Sequence, residues 1–255
     1  MRNALAIAGK ELRSYFASPI GWVICGLFLL IFGYFFDSYL EFFLTSSLRA
    51  AAQGGGPPMN VNTSLIRPLL SNATVIVLFV LPSITMRTYS EEKRSGTIEL
   101  LLTSPLTDWE IIVGKFLGAM GLYATMLLGT MLYMVVLFAY GQPEWKPLVA
   151  GYLGLLLMGG CFISTGLFIS SLTKNQIVAG FLTFVTFLMF WIVSWIGESS
   201  GPTTQAVVSY LSIIEHLEDF ARGIIDTKNM VYYLSFITFG LFLTAKSVDS
   251  ERWRG

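Results

Sequence analysis

Long stretches without charge alternate with short polar segments along the whole chain. Each stretch is long enough to cross the ~30 Å hydrocarbon core of a bilayer as a helix. The pattern therefore predicts an all-α polytopic membrane protein, a single transmembrane domain over residues 1–255, with both termini on the same side. The six predicted transmembrane helices cover about residues 20–40, 68–86, 112–141, 147–171, 175–197 and 229–246.

Residues 1–18 precede the first span and follow a different pattern. One helical face carries the apolar residues Leu5, Ala8, Leu12, Tyr15 and Phe16. We expect an amphipathic helix that lies in the cytoplasmic membrane interface and ends before Pro19, where the chain turns into the bilayer. The alternative is a solvated tail.

The most densely charged segment is the loop over residues 87–110, between the second and third spans. Gly96 allows a tight entry into a short helix, and Pro105 ends it. Thr107-x-x-Glu110 is a capping box that starts the next helix. The apolar residues of the short helix are Ile98, Leu100, Leu101 and Leu102. Because such side chains are buried against membrane, protein or a partner, we expect a structured loop at the membrane surface.

Two further connections carry features of their own. Thr173-x-x-Gln176, between the fourth and fifth spans, is predicted to be a second capping box. In the segment 198–229, Glu218 and Arg222 are spaced for an i,i+4 ion pair, and Gly223 allows a break. The predicted apolar stripe of that segment is Tyr210, Ile213, Ile214, Leu217, Phe220 and Ile224.

His216 is the one histidine of the chain and lies among the acidic residues of that segment. With Glu215, Glu218 and Asp219 it suggests a metal site, but all four crowd one helical turn. A hydrated polar face on an interfacial helix is the favoured interpretation. No metal site is therefore expected.

Composition supports the membrane prediction. Hydrophobic residues make up 54% of the chain and charged residues 13%, against about a quarter charged in soluble domains. The net charge is zero, so nothing suggests a nucleic-acid partner. Cys25 and Cys161 both fall in apolar runs and are expected to be buried hydrophobes instead of a disulfide or metal pair.

The distribution of basic residues predicts the orientation. If the N-terminus is cytoplasmic, 11 of the 16 Lys and Arg residues fall in inner segments. The five in outer segments are Arg49, Arg67, Lys146, Arg222 and Lys228. By the positive-inside rule, both termini are expected to be cytoplasmic. We expect a multi-pass protein of the cell (inner) membrane.

Several function classes are disfavoured. No acidic or basic residue lies deep within a span, which argues against ion-coupled transport. No catalytic pair lies at membrane depth, so an intramembrane enzyme is a remote alternative. The chain also lacks G-x-x-x-x-G-K-[ST] and cannot hydrolyse ATP by that route. Gly114-x-x-x-Gly118 and Gly160-x-x-x-Ser164 allow close helix contacts, within one subunit or at a dimer seam.

Two stretches resemble a known family. Glu91-Glu-Lys-Arg-Ser-Gly-Thr-Ile-Glu-Leu-Leu-Leu-Thr-Ser-Pro105, followed by Asp108-Trp-Glu-Ile-Ile-Val-Gly-Lys115, resembles the signature region of ABC-2 type transporter permeases. His216-Leu-Glu-Asp-Phe-Ala-Arg-Gly223 through Glu251-Arg-Trp-Arg254 resembles the branch associated with gliding motility and nitrous-oxide-reductase maturation. The resemblance covers nearly the whole chain, including the six-span layout.

The resemblance implies specific contact residues. A coupling helix would seat in an ATPase subunit through Gly96, Thr97, Ile98, Glu99, Leu100, Leu101, Leu102 and Thr103, approached by Glu91, Glu92 and Arg94. A second ATPase contact would be made by Thr173, Lys174, Asn175 and Gln176. An outer re-entrant hairpin, about residues 202–226, would carry Glu215, His216, Glu218, Asp219, Phe220 and Arg222.

The resemblance also implies the assembly. Two cytoplasmic ABC ATPase subunits would use ATP and Mg²⁺, and this chain itself would bind no cofactor. A second permease, identical or homologous, would complete the pathway in the bilayer, and a periplasmic partner is a further possible component. We therefore expect the permease subunit of an ATP-driven exporter. The alternative is a membrane anchor that transmits force to an envelope machine without moving a solute.

Overall fold

The structure is a computed structural model that describes residues 2–52, 60–98, 105–198, 210 and 212–252. These residues form helices and their connections, without a strand. A π-helical turn, Asn62–Ile66, leads directly into the third α-helix. The α-helices are α1 Arg2–Ala17, α2 Pro19–Ala52, α3 Arg67–Thr85, α4 Ser90–Ser95, α5 Asp108–Tyr140, α6 Trp145–Leu172, α7 Gln176–Glu198, α8 Glu215–Ala221 and α9 Thr227–Arg252.

Six segments of the described chain are long and apolar enough to cross a membrane, and they correspond to the six predicted spans. The predicted boundaries are close for α5, α6 and α7. α2 continues to Ala52, well past the predicted end near residue 40. Charged residues marked the predicted end, but the segment 41–52 contains neither Gly nor Pro and continues the helix. α9 likewise extends through Asp249.

Both ends of the chain lie at the same end of the helix bundle. Asn3 Nδ2 of α1 donates to Glu110 Oε1 of α5 over 3.1 Å, and Glu251 of α9 pairs with Lys93 of α4. We call this the α4 end. The opposite, α8 end holds the last turns of α2 and α5 and the first turns of α3, α6 and α9. This arrangement agrees with an even number of spans.

α3 and α6 form the centre of the bundle, and most of their side chains are buried. α6 packs against α3, α5, α7, α8 and α9. Small residues make this contact close. A Cβ on Gly160 would lie 2.7 Å from Ile237 Cδ1, and a Cβ on Gly240 would lie 2.6 Å from Ser164 Oγ. Gly160-x-x-x-Ser164 therefore serves packing of α6 on α9 within one subunit.

α1 packs along the first half of α5 through the other small-residue motif. A Cβ on Gly114 would lie 2.7 Å from Ile7 Cβ, and one on Gly118 would lie 2.6 Å from Glu11 Cβ. The predicted helix at the N-terminus is confirmed. Of its predicted apolar face, Leu12, Tyr15 and Phe16 pack against the core, whereas Leu5 is 66% exposed. The glycine groove of α5 selects this face.

α8 lies at its end of the bundle on α6 and α3. Phe220 and Leu217 are buried there, and the predicted ion pair forms with 3.0 Å between Arg222 and Glu218. The predicted stripe is shorter than expected, because Tyr210 and Ile224 are more than half exposed. Residues 202–209 and 211 of the expected hairpin lie outside the described residues.

The prediction that His216 lies on a hydrated face is wrong. His216 is buried, its Nδ1 is 2.7 Å from Asn229 Oδ1, and its Nε2 is 3.1 Å from the Tyr210 carbonyl oxygen. Its ring lies 4.0 Å from that of Tyr232. Asn229 Nδ2 also donates to Asp219 Oδ2 over 2.9 Å, so His216 and Asp219 tie α8 to the start of α9. No cluster of three or more metal ligands occurs among the described residues.

The predicted capping box at Thr173 is also wrong. α7 begins at Gln176, and Asn175 Oδ1 accepts from the backbone N–H of Ile177 over 2.9 Å. Thr173 Oγ1 instead accepts from the Asn175 N–H over 3.1 Å. Asn is among the strongest helix caps, which shifts the cap two residues along the chain.

Close packing of α6 on α5 predicts a large effect for one methyl group. An alanine Cβ at Gly159 would lie 2.1 Å from Tyr123 Cε1, and that ring is fixed by burial and by a 3.0 Å hydrogen bond from Tyr123 Oη to the Leu155 carbonyl oxygen. We expect Gly159→Ala to lower the free energy of unfolding by about 1–3 kcal/mol, measured as thermal unfolding in mild detergent.

Gly26→Ala is the matched control, because a Cβ there meets nothing within 4 Å. We expect its melting temperature to stay unchanged or rise slightly, since alanine is the better helix former. Equal effects of the two substitutions would contradict the close α5–α6 contact.

Candidate functional site

The candidate site lies where the charged loop leaves α3. The chain turns over residues 86–89, forms α4 and reverses at Gly96, whose φ of 73° is left-handed. Glycine adopts this conformation without strain, which confirms the predicted tight turn at the start of the coupling segment. Thr97 and Ile98 continue as helix. The predicted coupling residues Glu99, Leu100, Leu101, Leu102 and Thr103 lie outside the described residues.

A buried lysine connects α4 to two other helices. Lys115 Nζ of α5 lies 2.6 Å from Glu92 Oε1 of α4 and 3.0 Å from Glu11 Oε1 of α1. It also donates to the Thr88 carbonyl oxygen over 3.0 Å, so all three of its protons have acceptors. Its side chain is 2% exposed and lies over the Tyr89 ring. Burial of this charge is tolerated because two carboxylates and a carbonyl compensate for lost water.

A second buried lysine holds the opposite side of α4. Lys93 Nζ lies 2.6 Å from Glu251 Oε1, near the end of α9, and the Lys93 side chain is 2% exposed. Glu92 and Lys93 are adjacent in sequence and therefore point in different directions from the helix. α4 is consequently fixed to α1 and α5 on one side and to α9 on the other.

Ser170 of α6 fixes the turn before α4. Its Oγ accepts from the backbone N–H groups of Tyr89 and Ser90, each over 3.1 Å, and donates to the Met86 carbonyl oxygen over 3.1 Å. One hydroxyl thus satisfies three buried backbone groups where α3 ends. Through this contact, the central helix α6 is joined to the loop.

These contacts divide the predicted coupling residues into two groups. Arg94, Gly96 and Thr97 are exposed, and so is Glu91, whereas the Glu92 side chain is turned inward to Lys115. The structural roles of Lys93 and Lys115 were not predicted. For Lys115, the available signal was its position between the apolar residues 111–113 and 116–117, where a buried charge needs a partner.

The second predicted contact lies at the same end of the bundle. Thr173, Lys174, Asn175 and Gln176 connect α6 to α7, and α4 packs against both of these helices. Lys174 and Asn175 are exposed. The two predicted contact segments therefore lie on neighbouring parts of one surface, although they are about 75 residues apart in sequence.

α1 closes the site on its remaining side. Tyr15 Oη donates to the Ile84 carbonyl oxygen over 3.2 Å, at the last turn of α3. Burial raises the pKa of Tyr15, and the Glu11 carboxylate raises it further. The phenol therefore stays a neutral hydrogen-bond donor across the physiological range. α1 is in this way connected to both α3 and α5.

Comparisons with known proteins find similarity to membrane transporters. A family model described as "ABC-2 family transporter protein" matches residues 5–245. The chain is 26% identical over 172 residues to the probable multidrug ABC transporter permease YbhR of Escherichia coli K12, a match that covers 66% of this chain and 45% of that protein. It is 26% identical over 129 residues to the inner membrane transport permease YhhJ of the same organism, covering 51% and 33%. The chain thus spans less than half the length of these relatives.

The buried lysine predicts a specific pattern of stability. Lys115→Met leaves the carboxylates of Glu11 and Glu92 without their cation, and breaking a buried ion pair typically costs about 3–5 kcal/mol. We expect a clear fall in melting temperature in mild detergent. Adding Glu11→Gln and Glu92→Gln to Lys115→Met removes the uncompensated charges, and we expect it to recover most of the loss. If Lys115→Met alone is as stable as the native chain, Lys115 does not organise the site.

Proposed function

The chain belongs to the ABC-2 family of transporter proteins, and on this premise we propose that it is the membrane permease subunit of an ATP-driven exporter. In this proposal a separate ABC ATPase subunit binds ATP and Mg²⁺. The observation that carries the proposal is the attachment of α4. Its Lys93 pairs with Glu251 of α9, and its Glu92 pairs with Lys115 of α5, which also holds Glu11 of α1.

The proposed coupling depends on the contrast between the buried ion pairs of α4 and the exposed residues next to them. Arg94, near the end of α4, and the adjacent Gly96 and Thr97 face solvent. A force applied there by an ATPase would be transmitted through Glu92 to α1 and α5 and through Lys93 to α9. Packed elements of this kind move as rigid bodies, so closure of the ATPase would tilt several spans together.

The loop between α6 and α7 supports a second contact with the same ATPase. Lys174 and Asn175 are exposed next to α4, and α6 also holds the α4 turn through Ser170. A single globular partner seated on the α4 end would therefore touch both segments. We propose that the larger contact is the segment 91–103 and the smaller one the segment 173–176.

The orientation and the assembly are part of the same proposal. Because the α4 end carries most of the basic residues, we place it and both termini in the cytoplasm of a cell (inner) membrane. A second permease copy or homologue would complete the transport path. Large apolar side chains on α2, α5 and α9 are exposed in the single chain, which supports contact with lipid and with that second subunit.

The proposal predicts that charge reversal at the α4 end disrupts the ATPase complex. We expect Arg94→Glu to lower co-purification of the ABC ATPase subunit encoded beside the permease at least several-fold, when both are co-expressed and extracted in mild detergent. Arg94 is exposed, so the fold should tolerate the change.

Arg49→Glu is the matched control, since Arg49 is also an exposed arginine but lies at the opposite end of the bundle. We expect it to bind the ATPase like the native chain. Loss of the ATPase with Arg49→Glu and not with Arg94→Glu would place the partner on the other end and refute the proposal.

A further inference from the structure

A polar cleft opens beside the site, between α1, the start of α2 and the end of α3. Its volume is about 290 Å³, and it contains both signs of charge. Lys115 is already balanced by Glu11 and Glu92. The charged groups that remain for another molecule are Lys10, Arg87 and Glu91, together with the hydroxyl of Ser14.

Polar atoms in this cleft are buried without a partner in the described part of the chain. Arg87 Nε and Glu92 Oε2 have neither solvent contact nor a hydrogen bond there. Arg87 and Glu91 are four residues apart on one turn, yet no ion pair joins them. Unsatisfied polar groups cost free energy, and Arg87 and Glu91 line the cleft without an ion pair among the described residues, so a ligand with both signs of charge would supply a partner to each.

An apolar groove adjoins the cleft and lies between α2 and α3. Its volume is about 280 Å³, and Ile24 and Ser83 line both spaces. Ser83 is the polar member of the described residues that line the groove, and it lies where groove and cleft meet. From Ser83 the groove follows α3 to Val75, a distance of ~12 Å at 1.5 Å per residue. This approaches the depth of one leaflet of a ~30 Å hydrocarbon core.

We propose that cleft and groove together bind one phospholipid with a primary-amine headgroup. The phosphate accepts from Lys10 and from the terminal nitrogens of the Arg87 guanidinium, and the ammonium donates to the Glu91 carboxylate. One acyl chain lies along the groove past Leu27 and Val80. The headgroup is zwitterionic, which fits a site that offers unpaired groups of both signs, whereas an anionic lipid would leave the carboxylates repelled.

The adjacency of the two spaces selects the occupant. A soluble phosphate fits the cleft and leaves the groove open, and a packing helix from another subunit fits the groove and leaves the Arg87 guanidinium without an anion. A phospholipid joins a charged head to an alkyl chain and fills both. The site is also at the membrane-facing side of α2, where Leu27 is half exposed.

The test is lipid retention by the full chain, measured by native mass spectrometry. The purified protein in mild detergent is offered an equimolar mixture of phosphatidylethanolamine, phosphatidylcholine and phosphatidylglycerol. We expect one phosphatidylethanolamine to be retained per chain in preference to the other two. We expect Arg87→Gln to lower its retention about tenfold, because a charge-assisted contact to the phosphate is lost.

Two matched pairs of variants separate the site from general effects. Arg13→Gln removes an exposed arginine of α1 that does not line the cleft, and it should retain lipid like the native chain. Leu27→Trp places an indole at the groove and should lower retention, whereas Leu30→Trp, on an exposed face of α2 outside the groove, should not. Arg87→Lys keeps the positive charge and should recover part of the lipid retention that Arg87→Gln loses. This recovery would show that the loss comes from the missing charge and not from misfolding.

Four results would overturn the proposal. One is equal retention of all three lipids by the native chain. Another is equal behaviour of Arg87→Gln and Arg13→Gln, which would leave only a non-specific apolar groove. The third is displacement of the lipid by millimolar inorganic phosphate, which would assign the site to a free anion. The fourth is a disulfide-linked dimer of the Leu27→Cys variant without bound lipid, which would assign the site to a second copy.

Discussion

The buried cation of Lys115 is the interaction on which the organisation of the α4 end depends. It holds carboxylates from α1 and α4, 104 and 23 residues away in sequence, and a backbone carbonyl before α4. A charge removed from water is stable only while every partner stays in place. α1, α4 and α5 are therefore coupled in their positions, and Lys93 adds α9 to the same unit. The described segment 86–98, which would otherwise be a flexible connection, becomes a fixed part of the bundle.

The rest of the bundle provides a rigid support for this unit. Glycine and serine on α5 and α6 let neighbouring helices approach closely, as in the contact of Gly118 with Glu11, which brings that carboxylate to Lys115. The small residues thus allow close helix packing and, through it, the ion pair between Glu11 and Lys115. α3 and α6 are buried, whereas α2, α7 and α9 expose large apolar side chains. In a membrane, lipid surrounds such exposed faces. Because lipid does not hold a helix in one position, movement of the unit joined by Lys115 and Lys93 can be passed to these spans.

Much of the fold could be predicted from hydrophobicity alone, because each span repeats the same physical requirement. The capping box at Thr107 and the turn at Gly96 were also predictable, since they depend on neighbours within three residues. Features that depend on distant partners were not. The pairing of Lys93 with Glu251 joins residues 158 positions apart, and the burial of His216 depends on Asn229 and Tyr232 of another helix. The local pattern of apolar and polar residues does not contain the information on which helices pack against each other.

The central claim is that the exposed residues beside α4 contact an ATPase. The most direct measurement places a photo-crosslinking amino acid at Thr97, which is exposed next to the fixed helix. The cells also produce the candidate ABC ATPase subunit. The account predicts a covalent permease–ATPase product with the crosslinker at Thr97, and none with it at Arg49 at the opposite end. A product at Arg49 alone, or no product at Thr97 in cells that contain both proteins, would contradict it.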